Sequence, residues 1–276
     1  MGKVVGTGRE DKTNPGLTEK HFERFFSDPL YLLYKNHLYN YLLRRFVILR
    51  NFRPRSPQRI LELGCGISPM LGESWGAIRT DVSWRALAYL SRCSKQSESA
   101  RRATACDATS LPFATGSVKS VICSEVLEHI EEDGAVLDEI ARVLESGGEL
   151  ILTLPMRPEL FGFDDSFVGH YRRYELGRLT EILSARNFGE FQHQSILGGL
   201  EKSFMEGVTR LFSFMKRDEH RGSEQPPLIG VRILGWLFFP FYLLVNYLLA
   251  FLVYIQARFT SPNRAVTLFL RCKKQR

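Results

Sequence analysis

The chain has 276 residues, of which 44% are hydrophobic, and its formal net charge is +7. This length allows one α/β domain with additions and argues against two full-sized domains. The excess of basic residues fits an anionic lipid surface or nucleic acid, but many soluble enzymes carry as much, so charge alone excludes neither. The five cysteines are scattered, without a C-x-x-C pair or zinc-type spacing. This pattern indicates a reducing compartment and predicts no metal site.

The first part of the chain is predicted to be an addition to the core. Residues 1–16 are polar and glycine-rich, which predicts a disordered arm and not a secretory signal. Gly6 also occupies the position where N-myristoylation requires Ser or Thr. Residues 17–58 predict an N-terminal helical lid with a long aromatic face, interrupted at Asp28-Pro29, and with basic residues at Lys35, Arg44, Arg45 and Arg50. Packing against the core explains such a face more often than a lid does.

From Arg59 onwards, short apolar runs alternate with segments of helical periodicity. The runs that predict strands are RILEL, AIRTDV, ATACDA, VKSVICS, ELILTL and FGEFQHQSIL. The segments AVLDEIARVLESGG, with Gly147-Gly148 as its stop, and ELGRLTEILSAR predict helices. This alternation is typical of a parallel sheet with helices on both faces, and it predicts a core over residues 59–198.

The chemistry-bearing residues follow the ends of successive predicted strands. Gly64-Cys65-Gly66 follows the first strand, although an ordinary strand-to-helix turn explains a lone G-x-G about as well. Asp81 ends the second strand, where a carboxylate can accept hydrogen bonds from ribose hydroxyls. Asp107 ends the third, placed for an adenine amino group with the Ala108 N–H beside it, and Ser124-Glu125 ends the fourth. Three acids in register at one sheet edge are harder to explain as helix caps.

These segments resemble the consecutive motifs of the class I S-adenosylmethionine-dependent methyltransferases, in the group named methyltransferase type 11. The resemblance covers about residues 59–198 and rests on ILELGCG, RTDVS, CDATSLPF, SVICSEVLEHI and RVLESGGELILTLP. It implies a Rossmann-like, seven-stranded sheet whose last strand is antiparallel and lies between the fifth and sixth. It also implies S-adenosylmethionine as the cofactor.

The resemblance assigns the cofactor-binding residues one by one. Glu62, Gly64, Cys65 and Gly66 would surround the methionine moiety, Asp81 and Val82 the ribose, Asp107 and Ala108 the adenine, and Ser124 and Glu125 the sulfonium. Two departures from the family pattern concern the first loop. Ser68 stands where a third glycine is usual, and the segment from Gly66 to Asp81 is about one helical turn short.

The acceptor side is predicted after the fifth strand, in LPMRPELFGFDDSFVGHYRRYEL. Methyl transfer depends mainly on positioning, and a weak base suffices for an acidic acceptor. His170 is the candidate for that base, and Tyr171, Arg172 and Arg173 are the candidate acceptor-binding residues, the arginines for a phosphate or carboxylate. The alternative is structural: Tyr174-Glu175 begins the next helix and one arginine pairs with Asp164 or Asp165. His129 is expected to orient a loop.

Two apolar segments precede the last predicted strand, AVTLFLRC. Residues 200–215 predict an amphipathic interfacial helix, and residues 233–255 carry no charge over a length that would reach across the ~30 Å hydrocarbon core. If AVTLFLRC joins the sheet, both flanks must lie on one side. We therefore predict that residues 199–263 form an insertion that enters one leaflet, as a helix broken near Pro240 or a tilted helix, and that residues 264–276 form the last strand and a basic tail. A single-pass helix, a dimer interface or a second core are the alternatives.

The sequence as a whole predicts a methyltransferase that acts on a lipid, isoprenoid or lipid-linked acceptor. Its expected place is the cytoplasmic face of a membrane, as a monotopic or peripheral protein with the lipid surface as partner; no nucleic acid is expected, and the oligomeric state stays open. The alternatives are methylation of a soluble small molecule with a dimerising insertion, a nicotinamide-dependent oxidoreductase and a non-catalytic membrane scaffold. Met70 and the acid at the third strand argue against the oxidoreductase.

Overall fold

A computed structural model describes residues 34–53, 59–93, 102–198, 202 and 229–276. The predicted arm over residues 1–16 lies outside these ranges, as does the predicted amphipathic helix over 200–215 apart from Lys202.

Seven strands form one sheet in the order β3-β2-β1-β4-β5-β7-β6. Strands β1 to β5 run parallel, whereas β7 is antiparallel to both of its neighbours, β5 and β6. The prediction of an antiparallel last strand between the fifth and sixth is therefore confirmed. The strands are β1 Ile60–Leu63, β2 Ile78–Asp81, β3 Ala103–Ala105, β4 Val118–Ser124, β5 Leu144–Pro155, β6 Phe188–Leu197 and β7 Thr267–Lys274.

The central strands are apolar because helices cover both faces of the sheet. All four residues of β1 are buried, and the last six of β5 are buried as well. The α-helices of the described residues are α1 Tyr39–Asn51, α2 Trp84–Cys93, α3 Asp133–Val143, α4 Phe163–Val168, α5 Leu176–Ser184 and α6 Ile229–Phe259. Helix α1 buries Tyr39, Leu43 and Ile48 in a core cluster that also includes residues of β1, β4 and β7, so core packing explains part of its aromatic face.

One local prediction was wrong, and strand pairing explains the difference. Helix α3 ends at Val143, not at Gly147-Gly148, because Leu144 already pairs with Val118 of β4. Gly147 lies inside β5 with a φ of +79°, beside a shift in the pairing register. The segment between Gly66 and Asp81, which is about one helical turn short in the sequence, is irregular. Between β1 and β2 the chain forms only a 3₁₀ turn, Glu73–Trp75, where the family pattern implies a helix.

Helix α6 is continuous through Pro240, so of the two predicted forms, the helix broken near Pro240 is wrong. An interior proline removes one backbone hydrogen bond, but packing on both sides of it can hold the helix together. Before the proline, the Phe239 ring lies 5.3 Å from that of Tyr34; after it, the Tyr242 hydroxyl donates to the Tyr34 carbonyl at 2.7 Å. Within the described part of the chain, Leu237–Phe259 is long and apolar enough to cross a membrane by length and composition.

Candidate functional site

Hydrogen bonds with buried side chains fix the loop after β1. Glu62 is buried, and its carboxylate accepts hydrogen bonds from the backbone N–H groups of Met70 and Leu71. Burial raises the pKa of Glu62 to about 7, although these hydrogen bonds oppose the rise. The Tyr41 hydroxyl of α1 donates to the Ser68 and Pro69 carbonyls at 3.2 and 3.1 Å. Glu62 therefore shapes the loop, and its contact with the cofactor stays a prediction.

Glycine is required at two positions of this loop for different reasons. Gly64 has a φ of +64°, and a Cβ there would lie 2.4 Å from a Val126 methyl group. Gly66 has a φ of +53°, but no described atom lies within 4 Å of where its Cβ would be. Cys65 between them is buried and donates its N–H to the Thr80 carbonyl at 3.0 Å. The loop thus turns tightly and leaves open space beside Gly66.

We expect Gly64→Ala to destabilise the protein more than Gly66→Ala does. Both variants force an alanine into the left-handed region, at a cost of roughly 1–2 kcal/mol each. Only Gly64→Ala adds overpacking against Val126, typically about 1–3 kcal/mol more. Urea unfolding at a single pH measures both. Equal losses for the two variants would contradict the predicted clash.

Asp81 links the first two loops, and its carboxylate can accept further hydrogen bonds. Its Oδ2 accepts the Gly66 N–H at 2.7 Å, and its Oδ1 accepts the Ser83 N–H at 2.9 Å. Burial raises the pKa of Asp81 above its usual value, and the two N–H groups oppose the rise. Each carboxylate oxygen has a second lone pair, so a pair of ribose hydroxyls can still donate to it. Val82 follows with 77% of its surface exposed, which offers an apolar contact beside that position.

The third loop lies next to the second at the same edge. The Cys106 N–H donates to the Asp81 carbonyl at 3.1 Å, which brings the ends of β2 and β3 together. Asp107 is exposed and its Oδ1 accepts the N–H and the hydroxyl of Thr109, both at 2.8 Å. Ala108 packs against the core beside it. The structure thus places the predicted ribose and adenine residues side by side.

The fourth loop turns toward α1. The Ser124 and Thr153 hydroxyls are 2.7 Å apart, and the Glu125 N–H donates to the Thr153 carbonyl at 2.9 Å. Glu125 has a φ of +53°, which is uncommon for a residue with a side chain. Its carboxylate pairs with Arg44 of α1 at 3.1 Å. The predicted sulfonium residues therefore lie at the boundary between the cofactor loops and the N-terminal helix.

A cavity of about 170 Å³ opens beside Glu125. It is lined by residues of α1, α4, the loop after α4, and the chain around the start of β7: Asn40, Arg44, Glu125, Pro155, Asp164, Asp165, Val168, His170, Arg173, Leu197, Lys202, Val266 and Thr267. Because Glu125 belongs to both, this cavity adjoins the predicted position of the methyl group. It is the candidate acceptor site.

Of the four predicted acceptor residues, His170 and Arg173 line the cavity. His170 Nδ1 lies 3.0 Å from an Asp165 carboxylate oxygen, and buried Arg173 pairs with the same carboxylate at 2.8 Å. The alternative expectation, an arginine paired with Asp165, thus describes Arg173. Arg172 instead pairs with Asp133 of α3 at 2.9 Å, and Tyr171 is 55% exposed outside the cavity lining. The acceptor roles of all four stay predictions.

Lys35, Asn36 and Arg44 were not predicted to belong to the site. The Asn36 side-chain oxygen lies 2.5 Å from the Ser68 hydroxyl, so this segment covers the loop after β1. Lys35 is half-buried nearby. Desolvation and the charge of Arg44 lower its pKa to about 8, while Asp81 acts against them. The basic residues among the aromatic ones of this segment were the available signal. Residues 34–53 therefore contribute to the site as well as to the core.

The comparisons with known proteins agree with this geometry. Residues 61–152 match the family model described as a methyltransferase domain, whereas no curated protein sequence matches the chain. Among solved structures, phosphoethanolamine N-methyltransferase 2 of Haemonchus contortus, in complex with S-adenosyl-L-methionine, superposes with a TM-score of 0.52 at 19% identity, over 84% of this chain and 52% of that one. The chain thus spans about half the length of that protein.

Two further solved structures match this chain over most of their own length. A SAM-dependent methyltransferase of Thermotoga maritima has a TM-score of 0.56 at 15% identity, over 94% of this chain and 99% of that one. Geranyl diphosphate C-methyltransferase of Streptomyces coelicolor has a TM-score of 0.55 at 8% identity, over 84% of this chain and 79% of that one. At these identities the likeness concerns the fold. The family match, with the strand order and the loops above, identifies residues 61–152 as part of a class I S-adenosylmethionine-dependent methyltransferase domain.

Proposed function

We propose that this chain transfers the methyl group of S-adenosylmethionine to a lipid, isoprenoid or lipid-linked acceptor while its α6 helix lies in the cytoplasmic surface of a membrane. The cofactor would occupy the edge formed by the loops after β1, β2, β3 and β4. The acceptor would enter the cavity beside Glu125. The observation that carries the membrane part is the outer face of α6.

That outer face is a continuous apolar surface. Its exposed large apolar side chains are Leu237, Phe238, Phe241, Leu244, Val245, Tyr247, Leu248, Phe251, Leu252, Ile255 and Phe259. Soluble monomers rarely expose an apolar patch of this extent. Only 11% of the most apolar window of this helix is buried, whereas the core helix of a soluble protein would be mostly buried. These features favour contact with lipid.

The inner face of α6 favours a helix in the membrane plane over one that crosses. Asn246 accepts the Tyr39 N–H of α1 at 3.1 Å, and Ala250, Val253 and Ala257 are buried against the domain. The Arg50 side chain of α1 donates to the Tyr254 hydroxyl. A crossing helix with this packing would carry the charged α1 surface into hydrocarbon, which is costly. Pairing of β7 with β5 and β6 also keeps the segment after α6 with the domain.

The membrane contact would lie close to the acceptor cavity. Helix α6 packs along α1, and α1 contributes Asn40 and Arg44 to the cavity lining. After α6 the chain continues through Pro262–Arg264 to Val266 and Thr267, which also line the cavity. An acceptor with an apolar tail in the bilayer would therefore have a short path to the methyl group. Two of the similar structures are named for phosphoethanolamine and geranyl diphosphate. The first compound resembles a lipid headgroup, and the second is an isoprenoid.

The test combines vesicle flotation with methyl transfer to extracted membrane lipids, using labelled S-adenosylmethionine. We expect the wild-type chain to float with anionic vesicles and to label lipid. The double variant Leu244→Glu/Leu248→Glu places two charges on the outer face of α6 and should abolish flotation and lipid labelling while S-adenosylhomocysteine still binds.

The matched control is Ser184→Glu/Ala185→Glu, which adds the same charge at exposed positions in and just after α5. It should float like the wild type. If the α6 variant instead converts a dimer to a monomer, and neither protein binds vesicles, the outer face is a subunit interface and the membrane proposal is wrong. Labelling of water-soluble acceptors alone would contradict the lipid acceptor.

A further inference from the structure

Three potential metal ligands lie close together beside the acceptor cavity. Glu128 and His129 belong to the 3₁₀ turn Leu127–His129 after β4, and His170 follows α4. One ligand atom from each lies within 4.8 Å of the other two. His170 Nε2 is 3.9 Å from a Glu128 carboxylate oxygen, too far for a hydrogen bond, and the two imidazole ring centroids are 4.6 Å apart. The three side chains therefore face one small volume.

Glu128 requires an explanation of its own. It is 0% exposed, and neither carboxylate oxygen has a hydrogen-bond partner among the described residues. Burying a carboxyl group without a hydrogen bond is energetically costly. Such groups in folded proteins commonly mark an ion or a functional role.

The second imidazole is oriented as metal-binding histidines are. His170 Nδ1 lies 3.0 Å from Asp165, so the other nitrogen, Nε2, is directed toward Glu128. Asp165 is fixed in turn by Arg173 at 2.8 Å and by Lys202 at 2.8 Å. A carboxylate that holds one ring nitrogen sets the tautomer and aims the other at a metal. His170 thus has a supporting group that a solvent-exposed histidine lacks.

From this geometry we propose that Glu128, His129 and His170 bind a divalent transition-metal ion. Two imidazole nitrogens and one carboxylate oxygen suit Zn²⁺, Fe²⁺ or Mn²⁺ better than Mg²⁺ or Ca²⁺, which prefer oxygen ligands alone. Ligand atoms at ~2.0–2.2 Å from one ion lie roughly 3–4 Å from each other, so the present spacing needs only small side-chain rotations. This proposal replaces the sequence-based expectations of no metal and of a loop-orienting His129.

The position of the site indicates what the ion would do. Three protein ligands leave a coordination position open. His170 lines the acceptor cavity, as does Glu125, whose Oε1 is also buried without a hydrogen-bond partner in the described residues. The open position would bind an oxygen of the acceptor next to the methyl donor. This role rests on the proposed methyl transfer, whereas the binding of the ion does not.

The test measures metal binding by the full-length chain after removal of metals with a chelator. Co²⁺ serves as the probe because its visible absorption reports nitrogen and oxygen ligands. We expect the wild type to bind one equivalent with a rise in thermal stability. Glu128→Gln and His170→Asn should each weaken Co²⁺ binding by about 100-fold or more, since loss of a supporting group alone costs ~10–100-fold.

Glu128→Gln also gives a result that a misfolded protein could not. Without metal, this variant should melt within a few degrees of the wild type, because glutamine keeps the shape of the side chain; with Co²⁺, only the wild type should gain stability. The control His193→Ala removes an exposed imidazole on β6 and should bind Co²⁺ normally. Absence of stoichiometric Co²⁺ binding by the wild type, or equal binding by Glu128→Gln, overturns the proposal. Neither result depends on methyltransferase activity.

Discussion

Asp165→Asn is expected to destabilise the protein by about 3–5 kcal/mol, because it leaves buried positive charges without their partner. Asp165 is 1% exposed, and its carboxylate contacts Arg173, Lys202, His170 and the Gly162 N–H. Asparagine keeps the shape but removes the charge that the arginine and the lysine face. Thermal unfolding should show a decrease in Tm of roughly 6–20 °C, since 1 kcal/mol corresponds to about 2–4 °C at this chain length.

The matched control is Asp138→Asn on α3, which removes a carboxylate paired with Arg186 at 2.7 Å but 66% exposed. An exposed pair contributes only ~0–1 kcal/mol, so this variant should melt within a few degrees of the wild type. Similar Tm values for the two variants would mean that the Asp165 cluster is not a buried ion network.

The same cluster predicts a dependence of stability on pH. Burial alone would raise the pKa of Asp165, but hydrogen bonds from His170, Arg173 and Lys202 lower it far below the usual range. A lowered pKa means that the folded state binds the proton less readily than the unfolded state. The stabilisation is therefore present above about pH 4, the ordinary pKa of an unfolded Asp, and is lost as the pH falls below it. Asp165→Asn should flatten this part of the profile.

Asp81→Ala is expected to weaken binding of S-adenosylhomocysteine by about 10- to 150-fold. The variant removes a charged acceptor of two ribose hydroxyls, and hydrogen bonds to a charged group contribute ~1.5–3 kcal/mol. It also leaves the Gly66 and Ser83 N–H groups without the carboxylate to which they donate hydrogen bonds in the wild type. Isothermal titration calorimetry measures the loss directly.

A 2′-deoxyribose analogue separates the two causes. It should bind the wild type more weakly than S-adenosylhomocysteine does, and the two ligands should bind Asp81→Ala nearly equally. A constant difference between the ligands in both proteins would show that Asp81 acts through the loops and not through the ribose. The parallel variant Asp107→Ala should instead reduce the discrimination between adenine and hypoxanthine forms of the ligand.

Most of the sheet was predictable because its information is local. Buried parallel strands read as continuous apolar runs, so β1, β4 and β5 could be located from Ile60–Leu63, Val118–Ser124 and Leu144–Pro155 within a few residues. The end of α3 was not predictable, because Gly147-Gly148 is a strong signal for the end of a helix. Pairing of Leu144 with Val118 overrides it, and that contact joins residues distant in the sequence.

The candidate site was predictable where it follows strand ends and not where it depends on distant contacts. Asp81 and Asp107 follow β2 and β3, so strand order alone brings them together. Nothing local to Arg44 indicates that it reaches Glu125 across the fold. The environment of Glu128 is likewise visible only in three dimensions. Whether a described residue lies within hydrogen-bond distance of its carboxylate depends on contacts between distant parts of the chain.

The place of β7 sets an order of events during synthesis. In the described sheet, β7 lies between β5 and β6, so this sheet cannot close until residues up to Lys274 have left the ribosome. Helix α6 emerges before them, at a time when the face it will cover is still an open half-sheet. Chains of this size fold through partly formed states with exposed apolar surface. The apolar outer face of α6 is therefore exposed before the sheet is complete, and a nascent-chain chaperone or a membrane can bind it at that stage.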